Sequence, residues 1–325
     1  LQAGALDEFV VSLATRRGRQ RVDQAFLAEL DAWRRELAIR ISKLNRLSSE
    51  ELNRAVQLTI DRIVFLRICE DRGIEPYGAL LTEVATPGVY KRLVSRFERA
   101  DEKYNSGLFH FRREHSRASF DSLTPRLELP DEVLRSFIMR LYWPDGPYNF
   151  AVLPPDVLGH VYEQFLGKVI TLDARHRADV VEKPEVRKAG GVFYTPTPVV
   201  KHIVASTLDM KLAGESPVSL AKKSLTVCDP ACGSGSFLIE VYQYMLDWYL
   251  VHYVTEAEKW SRSRPKRLQR DAAGGWRLTT DERKRILTRH VFGVDIDPQA
   301  VEVTKLALLL KVLEGEDQGS LHAQT

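Results

Sequence analysis

Residues 225–238 read Leu-Thr-Val-Cys-Asp-Pro-Ala-Cys-Gly-Ser-Gly-Ser-Phe-Leu, an apolar run that meets an acid and then a Gly-Ser-Gly turn. This order predicts a short strand, a loop at its carboxyl end and a helix that begins just after the loop. Gly233 and Gly235 allow the backbone to turn sharply and to approach a ligand closely. Because α/β sheets bind small ligands at the carboxyl ends of their strands, the stretch predicts the first unit of such a sheet.

The chemistry of this loop favours a ligand that carries both a carboxylate and an amine. The helix N-terminus offers unpaired N–H groups and a positive dipole end to a carboxylate, whereas Asp229 suits an ammonium group and not a phosphate. The methionine end of S-adenosyl-L-methionine (AdoMet) has both groups. A dinucleotide fingerprint would need a third glycine where Phe237 and Leu238 stand, and a P-loop would need a lysine after the loop. A strand, turn and helix that bind no ligand remain the alternative.

A second segment repeats this pattern, because residues 291–298 read Val-Phe-Gly-Val-Asp-Ile-Asp-Pro. Asp295 ends the predicted strand, where an acid can accept hydrogen bonds from both hydroxyls of a ribose. Ile296 beside it would pack on an adenine face. Asp297 is predicted to cap the next helix, with Pro298 at its first position. Asp295 could also merely end the strand, but we favour the ligand role for Asp295 and the capping role for Asp297.

A third segment, residues 190–198, reads Gly-Gly-Val-Phe-Tyr-Thr-Pro-Thr-Pro and precedes an apolar run with helical spacing. Thr195 or Thr197 is predicted to cap that helix, since a proline follows each of them and suits the first helical position. Taken alone, Phe193 and Tyr194 could equally be ordinary core aromatics.

Together and in this order, the three segments resemble the N6-adenine DNA methyltransferases of the gamma arrangement. The likeness is closest to the methylase–specificity polypeptides of type IIG restriction–modification enzymes and to BREX-type phage-defence methylases. It rests on the motifs Gly-Val-Phe-Tyr-Thr-Pro, Asp-Pro-Ala-Cys-Gly-Ser-Gly-Ser-Phe-Leu and Gly-Val-Asp-Ile-Asp-Pro-Gln-Ala-Val-Glu-Val-Thr-Lys-Leu-Ala-Leu, and it spans roughly residues 153–314. A looser likeness reaches back to Trp33 through the helical run of residues 61–73.

This resemblance implies a role for each residue of the motifs. Phe193, Tyr194 and Thr195 would line the cofactor AdoMet, Asp295 would bind its ribose hydroxyls, and Ile296 would flank its adenine. The loop after the first strand would hold the methionine end with Asp229, Ala231, Gly233, Ser234 and Gly235. No metal ligand is implied.

The resemblance further implies an α-helical N-terminal domain (residues 1–185) followed by the beginning of an α/β Rossmann-like AdoMet-dependent methyltransferase domain (residues 186–325). The family's catalytic motif, Asn-Pro-Pro followed by Tyr or Phe, is expected after later strands and does not occur in these 325 residues. We therefore assign no catalytic residue. In the complete enzyme that motif would hold an adenine flipped out of double-stranded DNA. A non-catalytic module that binds AdoMet or DNA is the alternative.

Several partners follow from the same resemblance. They are double-stranded DNA and the remainder of a parent polypeptide with its target-recognition region. A nuclease, if one is attached, is expected upstream of Leu1, and a BREX-type methylase would have none. Two strands of a normally larger sheet would leave a strand edge uncovered. The chain is therefore expected to be a piece of a longer polypeptide or to pair with a partner.

Composition bounds these interpretations. A hydrophobic fraction of 44% is ordinary for a soluble protein, and no apolar stretch reaches the roughly 18 residues that a membrane span needs. Three cysteines without a disulfide pattern indicate a reducing compartment, so a cytoplasmic location without membrane contact is expected. Cys228 and Cys232 have no partners at zinc-like spacing and are predicted to be small buried residues.

The charge is unevenly distributed along the chain. Residues 259–290 hold 11 Lys and Arg against 3 acids, a net charge of +8, and overlap a polar insertion at residues 251–280. Arg16–Arg21 form a second basic cluster. Both could contact DNA phosphates, or both could be solvated surface. Trp260 and Trp276 flank the longer cluster and are predicted to anchor it rather than to stack on bases.

Helix signals place the remaining elements. Ser48-Ser49-Glu50-Glu51 is typical of a capping box, and the apolar spacing after it predicts a helix that ends before Gly73. A second helix is predicted from Pro298 to Leu313, with Gly315 as its stop. Residues 173–191 are polar and charged, which predicts a linker between the two domains.

Overall fold

The computed structural model describes residues 22–104, 108–111, 120–146, 148–150, 165–184, 195–223, 225–271 and 273–316. The first part contains α1 (Val22–Leu44), α2 (Ser49–Asp71), α3 (Ala79–Val84), α4 (Val89–Tyr104), a 3₁₀ turn (Thr124–Arg126), α5 (Asp131–Met139), β1 (Lys168–Leu172) and β2 (Ala178–Glu182). The second part contains α6 (Thr197–Leu212), α7 (Pro217–Lys222), β3 (Val227–Asp229), α8 (Ser236–Val254), α9 (Ala257–Ser261), β4 (Leu268–Arg270), β5 (Trp276–Leu278), α10 (Thr280–His290), β6 (Val291–Gly293) and α11 (Pro298–Val312). Within these ranges, none of the helices has the length and apolar character that crossing a bilayer requires.

Helix α2 is the centre of the first part. It begins at the predicted capping box, in which the Glu51 N–H donates to Ser48 Oγ (3.2 Å) and the Ser48 N–H donates to Glu51 Oε2 (2.8 Å). It ends at Asp71, and Gly73 follows with a φ of +69°. From Leu52 to Glu70, every side chain except that of Arg54 is buried. Other elements therefore cover this helix on nearly all sides.

All-round burial places charged residues of α2 in the core, where each needs a partner. Arg62 donates to Asp121 Oδ2 (2.8 Å), to Thr124 Oγ1 (2.7 Å) and to the Leu108 carbonyl (2.9 Å). Its guanidinium carbon also lies 4.5 Å from the centre of the Phe111 ring. This buried ion pair ties α2 to the segment around the 3₁₀ turn, far away in sequence.

An antiparallel hairpin corrects the predicted linker over residues 173–182 and adds strands to the predicted α-helical first domain; residues 185–191 of that linker lie outside the described residues. Strands β1 and β2 pair with Ile170 opposite Val180, and both of these side chains are buried. The charged residues that suggested a linker form the turn instead, since Asp173 Oδ1 accepts the N–H groups of Arg175 (2.8 Å) and Arg177 (2.9 Å). Only Val180 of β2 is buried, whereas Asp179 and Glu182 are exposed, which explains why this strand looks polar in the sequence.

The second part is built around a parallel pair of strands. β3 and β6 pair with Val227 opposite Val291 and Asp229 opposite Gly293. The pairing continues past the strand ends, because the Val294 N–H donates to the Asp229 carbonyl (2.9 Å). The predicted order of strand, loop and helix is confirmed at both segments, including α11 from Pro298 with Gly315 at a φ of +78°. A larger Rossmann-like sheet stays a prediction.

The polar insertion predicted after α8 contains the short helix α9 and the antiparallel β4–β5 hairpin. Leu268 and Leu278 bury the inner face of this hairpin in the core of the second part. The half-buried ring of Trp260 lies 4.6 Å from the ring of Tyr253, and Trp276 packs against the same core. The two tryptophans therefore anchor the insertion, as predicted.

The start of α6 differs from its prediction. The helix begins at Thr197, its N-cap residue is Pro196, and no side chain caps it. Neither Thr195 nor Thr197 therefore acts as the predicted cap. Pro198 stands at the second helical position, which moves the cap to a residue without a side-chain acceptor.

Helix α11 joins the two parts. Ala300, Val303, Leu306 and Leu310 pack in the same apolar core as α1 to α5, whereas Val312 belongs to the core of the second part. The boundary between residues 185 and 186 stays a prediction. The helix that follows the second acidic segment nevertheless packs chiefly against the first part of the chain.

His290 at the end of α10 makes stability depend on pH. Its Nδ1 lies 2.7 Å from the Leu225 carbonyl and must donate to it, so the neutral ring accepts from the Tyr249 hydroxyl at Nε2 (2.9 Å). Burial lowers the pKa of His290 below its usual value. The unfolded chain takes up this proton at about pH 6.5 while the folded protein does not, so stability should fall as the pH drops below about 6.5.

Thermal denaturation between pH 7.5 and pH 5 measures this dependence. A His290→Gln variant should be less stable at pH 7.5 but should lose most of the dependence. His202→Gln, on the exposed face of α6, should keep it. Equal pH dependence in wild-type protein and His290→Gln would contradict the assignment to this ring.

Candidate functional site

The loop between β3 and α8 has the backbone conformation that its glycines predict. Gly233 and Gly235 have φ values of +53° and +86°, in the left-handed region. Gly235 is the N-cap residue of α8, and no side chain among the described residues caps this 19-residue helix. The loop therefore presents a helix N-terminus at the carboxyl end of β3, with first-turn N–H groups that no capping side chain occupies.

Asp295 joins the two acidic segments at the carboxyl ends of their strands. Its Oδ2 accepts the N–H of Gly233 (2.8 Å), and its Oδ1 accepts the N–H of Asp297 (2.8 Å). A carboxylate has about four acceptor positions, so both oxygens can accept another hydrogen bond. The side chain thus braces the glycine loop and keeps acceptor capacity for a ligand.

Asp229 ends β3 and starts the loop. Its Oδ1 accepts the N–H of Ala231 (3.1 Å), and the Cys232 N–H donates to the Val294 carbonyl (3.0 Å). Neither Asp229 nor Asp295 has an ion-pair partner within the part of the chain that the structure describes. The resulting negative charge suits a cationic group at the mouth of the loop.

The face around Ile296 is open and apolar. Ile296 is 100% exposed, and Phe292 and Val294 are 46% and 57% exposed. An apolar ring could lie on this face.

Cys228, which is opposite Phe292 in the strand pair, is also exposed, so its predicted burial is wrong. Neighbouring strand residues point to opposite faces, and the face that holds Cys228 is uncovered here. Cys232 is buried as predicted, and burial raises the pKa of its thiol.

The structure brings together most of the residues that the sequence singled out. Those that meet at the ends of β3 and β6 are Asp229, Ala231, Gly233, Ser234, Gly235, Asp295 and Ile296. Ala231 is exposed and Ser234 is buried. Thr195 precedes α6, which packs on α8, whereas Phe193 and Tyr194 lie outside the described residues.

Sequence reasoning missed Thr304 on α11. Its hydroxyl donates to the Gly233 carbonyl (2.8 Å), and a Cβ placed on Gly235 would lie 2.7 Å from Thr304 Cγ2. The threonine therefore supports both glycines of the loop from the helix that follows Asp295. The available signal was a single threonine on the otherwise apolar face formed by Ala300, Val303 and Ala307.

Two side chains connect this site to the first part of the chain. Lys183, just after β2, forms an ion pair with Asp297, whose Oδ1 caps α11 through the Gln299 N–H (3.0 Å). Gln299 in turn contacts Asn53 of α2 (3.3 Å) and the buried Arg34 of α1 (3.4 Å). The turn that presents Asp295 is thus held from outside the second part.

Much of the basic segment at residues 259–290 has structural partners. Arg283 donates to the Lys311 carbonyl (2.6 Å) at the end of α11, and Arg289 donates to the carbonyl of Ala221 (2.7 Å). Arg285 pairs with the buried Glu282. The exposed basic side chains lie mainly on and before the β4–β5 hairpin: Lys259, Arg262, Arg264, Lys266 and Arg270. Some arginines of the segment therefore donate to carbonyls at helix ends, and a smaller part of the segment forms an exposed basic surface.

Comparison with known families places this geometry in context. Residues 154–325 match the family model described as N-6 DNA methylase, slightly more than half of the chain.

Among curated proteins, the chain is similar to the type II restriction enzyme and methyltransferase RM.Eco57I of Escherichia coli. The two are 33% identical over 305 residues, which cover 94% of this chain and 29% of the relative. The chain is also similar to the type I restriction enzyme MjaIX methylase subunit of Methanocaldococcus jannaschii, at 30% identity over 50% of this chain and 18% of that subunit. The adenine-specific methyltransferase BrxX of Escherichia coli O9:H4 is 31% identical over 31% of this chain and 6% of its own length. The chain spans less than a third of each of these relatives.

Proposed function

Because the chain belongs to the N-6 DNA methylase family, we propose that it is the helical and cofactor-binding portion of a site-specific DNA adenine-N6 methyltransferase that uses AdoMet. The observation that carries this proposal is Asp295, which bonds the glycine loop of the first segment while ending the second. Two separate sequence motifs thereby meet at adjacent strand ends. Such a site is typical of cofactor binding in α/β proteins.

The residues of the site fit AdoMet group by group. The uncapped N-terminus of α8 would bind the carboxylate, and Asp229 would bind the ammonium group. Asp295 would accept the ribose hydroxyls, and the exposed Ile296 would cover one face of the adenine. The backbone of Ala231, Gly233, Ser234 and Gly235 would shape the methionine pocket. Phe193, Tyr194 and Thr195 would line the cofactor from the side of α6. When bound, AdoMet supplies a methyl group activated by its sulfonium.

The partners proposed are double-stranded DNA and the remainder of a parent polypeptide that carries the target-recognition region and the catalytic Asn-Pro-Pro motif. Similarity over 94% of the chain to a protein named as both restriction enzyme and methyltransferase favours a restriction–modification system. The likeness to a BREX methylase covers 31% of the chain. Exposed basic residues near the β4–β5 hairpin, such as Arg264 and Lys266, would contact DNA phosphates.

Isothermal titration with AdoMet tests the cofactor site. Wild-type protein should bind, and Asp295→Ala should weaken binding at least tenfold, about 1.4 kcal/mol, because the ribose acceptors and the brace on the Gly233 N–H disappear together. Asp247→Ala, which removes an exposed carboxylate on α8, should bind like the wild-type protein. Circular dichroism of each variant checks folding.

Two results would count against this proposal. Absence of AdoMet binding by the folded wild-type protein would show that these residues do not form a functional cofactor site in this chain. Equal affinity in wild-type protein and Asp295→Ala would show that AdoMet, if it binds, does not use Asp295.

A further inference from the structure

A cleft of about 370 Å³ lies where the first part of the chain meets the start of α11. Helix α2 and strand β1 contribute Gln57, Leu58 and Val169, and the start of α11 contributes Pro298 and Glu302. This volume falls within the range of small-molecule sites. The cleft also adjoins the turn that carries Asp295, because Asp297 lies on its wall.

Gln57 places an unused acceptor at this cleft. The residue is 1% exposed, and its Nε2 donates to both Asp61 oxygens, at 2.8 Å and 2.9 Å. This contact fixes the orientation of the amide, since a carboxylate only accepts. The other end of the amide, Oε1, is buried and has no hydrogen-bond partner within the described residues. A buried acceptor of this kind costs free energy unless something donates to it.

Glu302 supplies a second such acceptor. Its Oε1 accepts from Lys305 (2.8 Å), but its Oε2 is buried and has no partner among the described residues. A ligand that satisfied Gln57 and Glu302 would have to bring hydrogen-bond donors, such as the two hydrogens of an amine. Leu58, Val169 and Pro298 form apolar walls of the same cleft, which suits a ring.

We infer that this cleft is a binding site for a planar base that carries an exocyclic amine, with adenine as the representative, and that the base donates to Gln57 Oε1 and Glu302 Oε2. The two hydrogens of the exocyclic amine would face the two acceptors, and the ring would lie between the apolar walls. Three carboxylates line the cleft (Glu50, Asp297 and Glu302) against two cations (Arg54 and Lys183), so a neutral nucleoside fits better than a nucleotide phosphate.

The cleft is directly connected to the proposed cofactor site. Asp297 lines the cleft, and its backbone N–H donates to Asp295 Oδ1 (2.8 Å). The ion pair of Lys183 with Asp297 lies on the same wall. Binding of a base in the cleft is independent of the proposed function. Any effect of that base on the binding of AdoMet rests on the proposed function. The proposed cofactor site places the adenine of AdoMet against Ile296, which does not line the cleft, so the adenine recognised by the cleft belongs to a free nucleoside.

Titration with adenosine tests the site without any variant that could fail to fold. Wild-type protein should bind adenosine, and purine riboside, which lacks only the 6-amino group, should bind at least fivefold more weakly. Gln57→Leu should lose at least fivefold in adenosine affinity. Its matched control is Gln243→Leu on α8, where the amide also donates to an acid four residues later (2.8 Å) but lies away from the cleft. If Gln57→Leu does not fold, Glu302→Ala replaces it.

Competition identifies the source of the base. If both bind at once, the cleft is a nucleoside site separate from the cofactor site; if AdoMet displaces adenosine, adenosine occupies the cofactor site and the inference is overturned. No adenosine binding, or equal binding of purine riboside, would overturn the inference and leave an ordered water as the partner of Gln57. A protein that binds adenosine but not AdoMet would instead contradict the proposed function alone.

Discussion

A Gly235→Ala variant is expected to lose AdoMet binding by a factor of 100 or more and to be destabilised by about 2–4 kcal/mol. The left-handed φ of +86° is unfavourable for alanine, and the added Cβ would lie 2.7 Å from Thr304 Cγ2 and 2.9 Å from its Oγ1. Thr304 cannot easily move, because its hydroxyl holds the Gly233 carbonyl (2.8 Å). Relief of the overlap would shift the loop that shapes the methionine pocket.

Two variants separate the causes of this loss. Gly274→Ala has nearly the same φ, +83°, but no atom lies within 4 Å of its new Cβ, so it reports the backbone cost alone. A Gly235→Ala, Thr304→Ala double variant removes the two closest contacts, those with Cγ2 and Oγ1, and keeps the unfavourable φ. We expect it to recover part of the stability. Thermal denaturation and AdoMet titration measure both effects, and equal values for Gly235→Ala and Gly274→Ala would contradict the role given to Thr304.

Replacement of Arg62 by leucine should destabilise the protein by about 3–5 kcal/mol. Arg62 is 1% exposed, and its removal leaves the Asp121 carboxylate buried without its positive partner (2.8 Å). The control is Arg35→Leu, which breaks an exposed pair with Asp179 (3.2 Å) and should cost at most about 1 kcal/mol. Urea denaturation at pH 7 compares the two. Similar losses would show that the buried pair contributes no more than a surface pair.

The pH dependence of this difference has a definite sign. Desolvation by itself would raise the pKa of Asp121, but the Arg62 charge and hydrogen bonds from Thr124 hold the pKa below its usual value. Stability from the charged pair is therefore present above about pH 4 and is lost as the pH falls further. In Arg62→Leu, burial acts without the counter-charge and favours the protonated acid. The stability gap between the variant and wild-type protein should narrow as the pH drops below 4, and a constant gap would contradict this account.

Local rules applied to the sequence were enough to find the frame of the site. An apolar run, an acid and a Gly-Ser-Gly turn predicted β3, the loop and α8, and the second acidic segment predicted β6 and α11 with Asp297 as its cap. The capping box of α2 was found in the same way. These features depend on residues within a few positions of one another, so the sequence specifies them directly.

The same local rules failed where burial depends on distant neighbours. The β1–β2 hairpin looked like a linker because its polar residues face solvent, and Cys228 looked buried because nothing in the sequence shows which face of β3 is covered. The predicted cap of α6 was wrong for a local reason. Pro196 and Pro198 each suit the start of a helix, and the helix begins at Thr197 with Pro196 as its N-cap residue.

The sequence by itself determined the order of the two acidic segments, the glycines that turn the loop and the helices that follow. Only the tertiary structure decided that Asp295 bonds the Gly233 N–H 62 positions away, that Thr304 supports the loop, and that Lys183 and Gln299 hold the turn from the first part of the chain. The reason is physical. Helix and turn signals act over a few residues, whereas a side chain and a backbone group far apart in sequence meet only where the packing of whole elements brings them within hydrogen-bond distance.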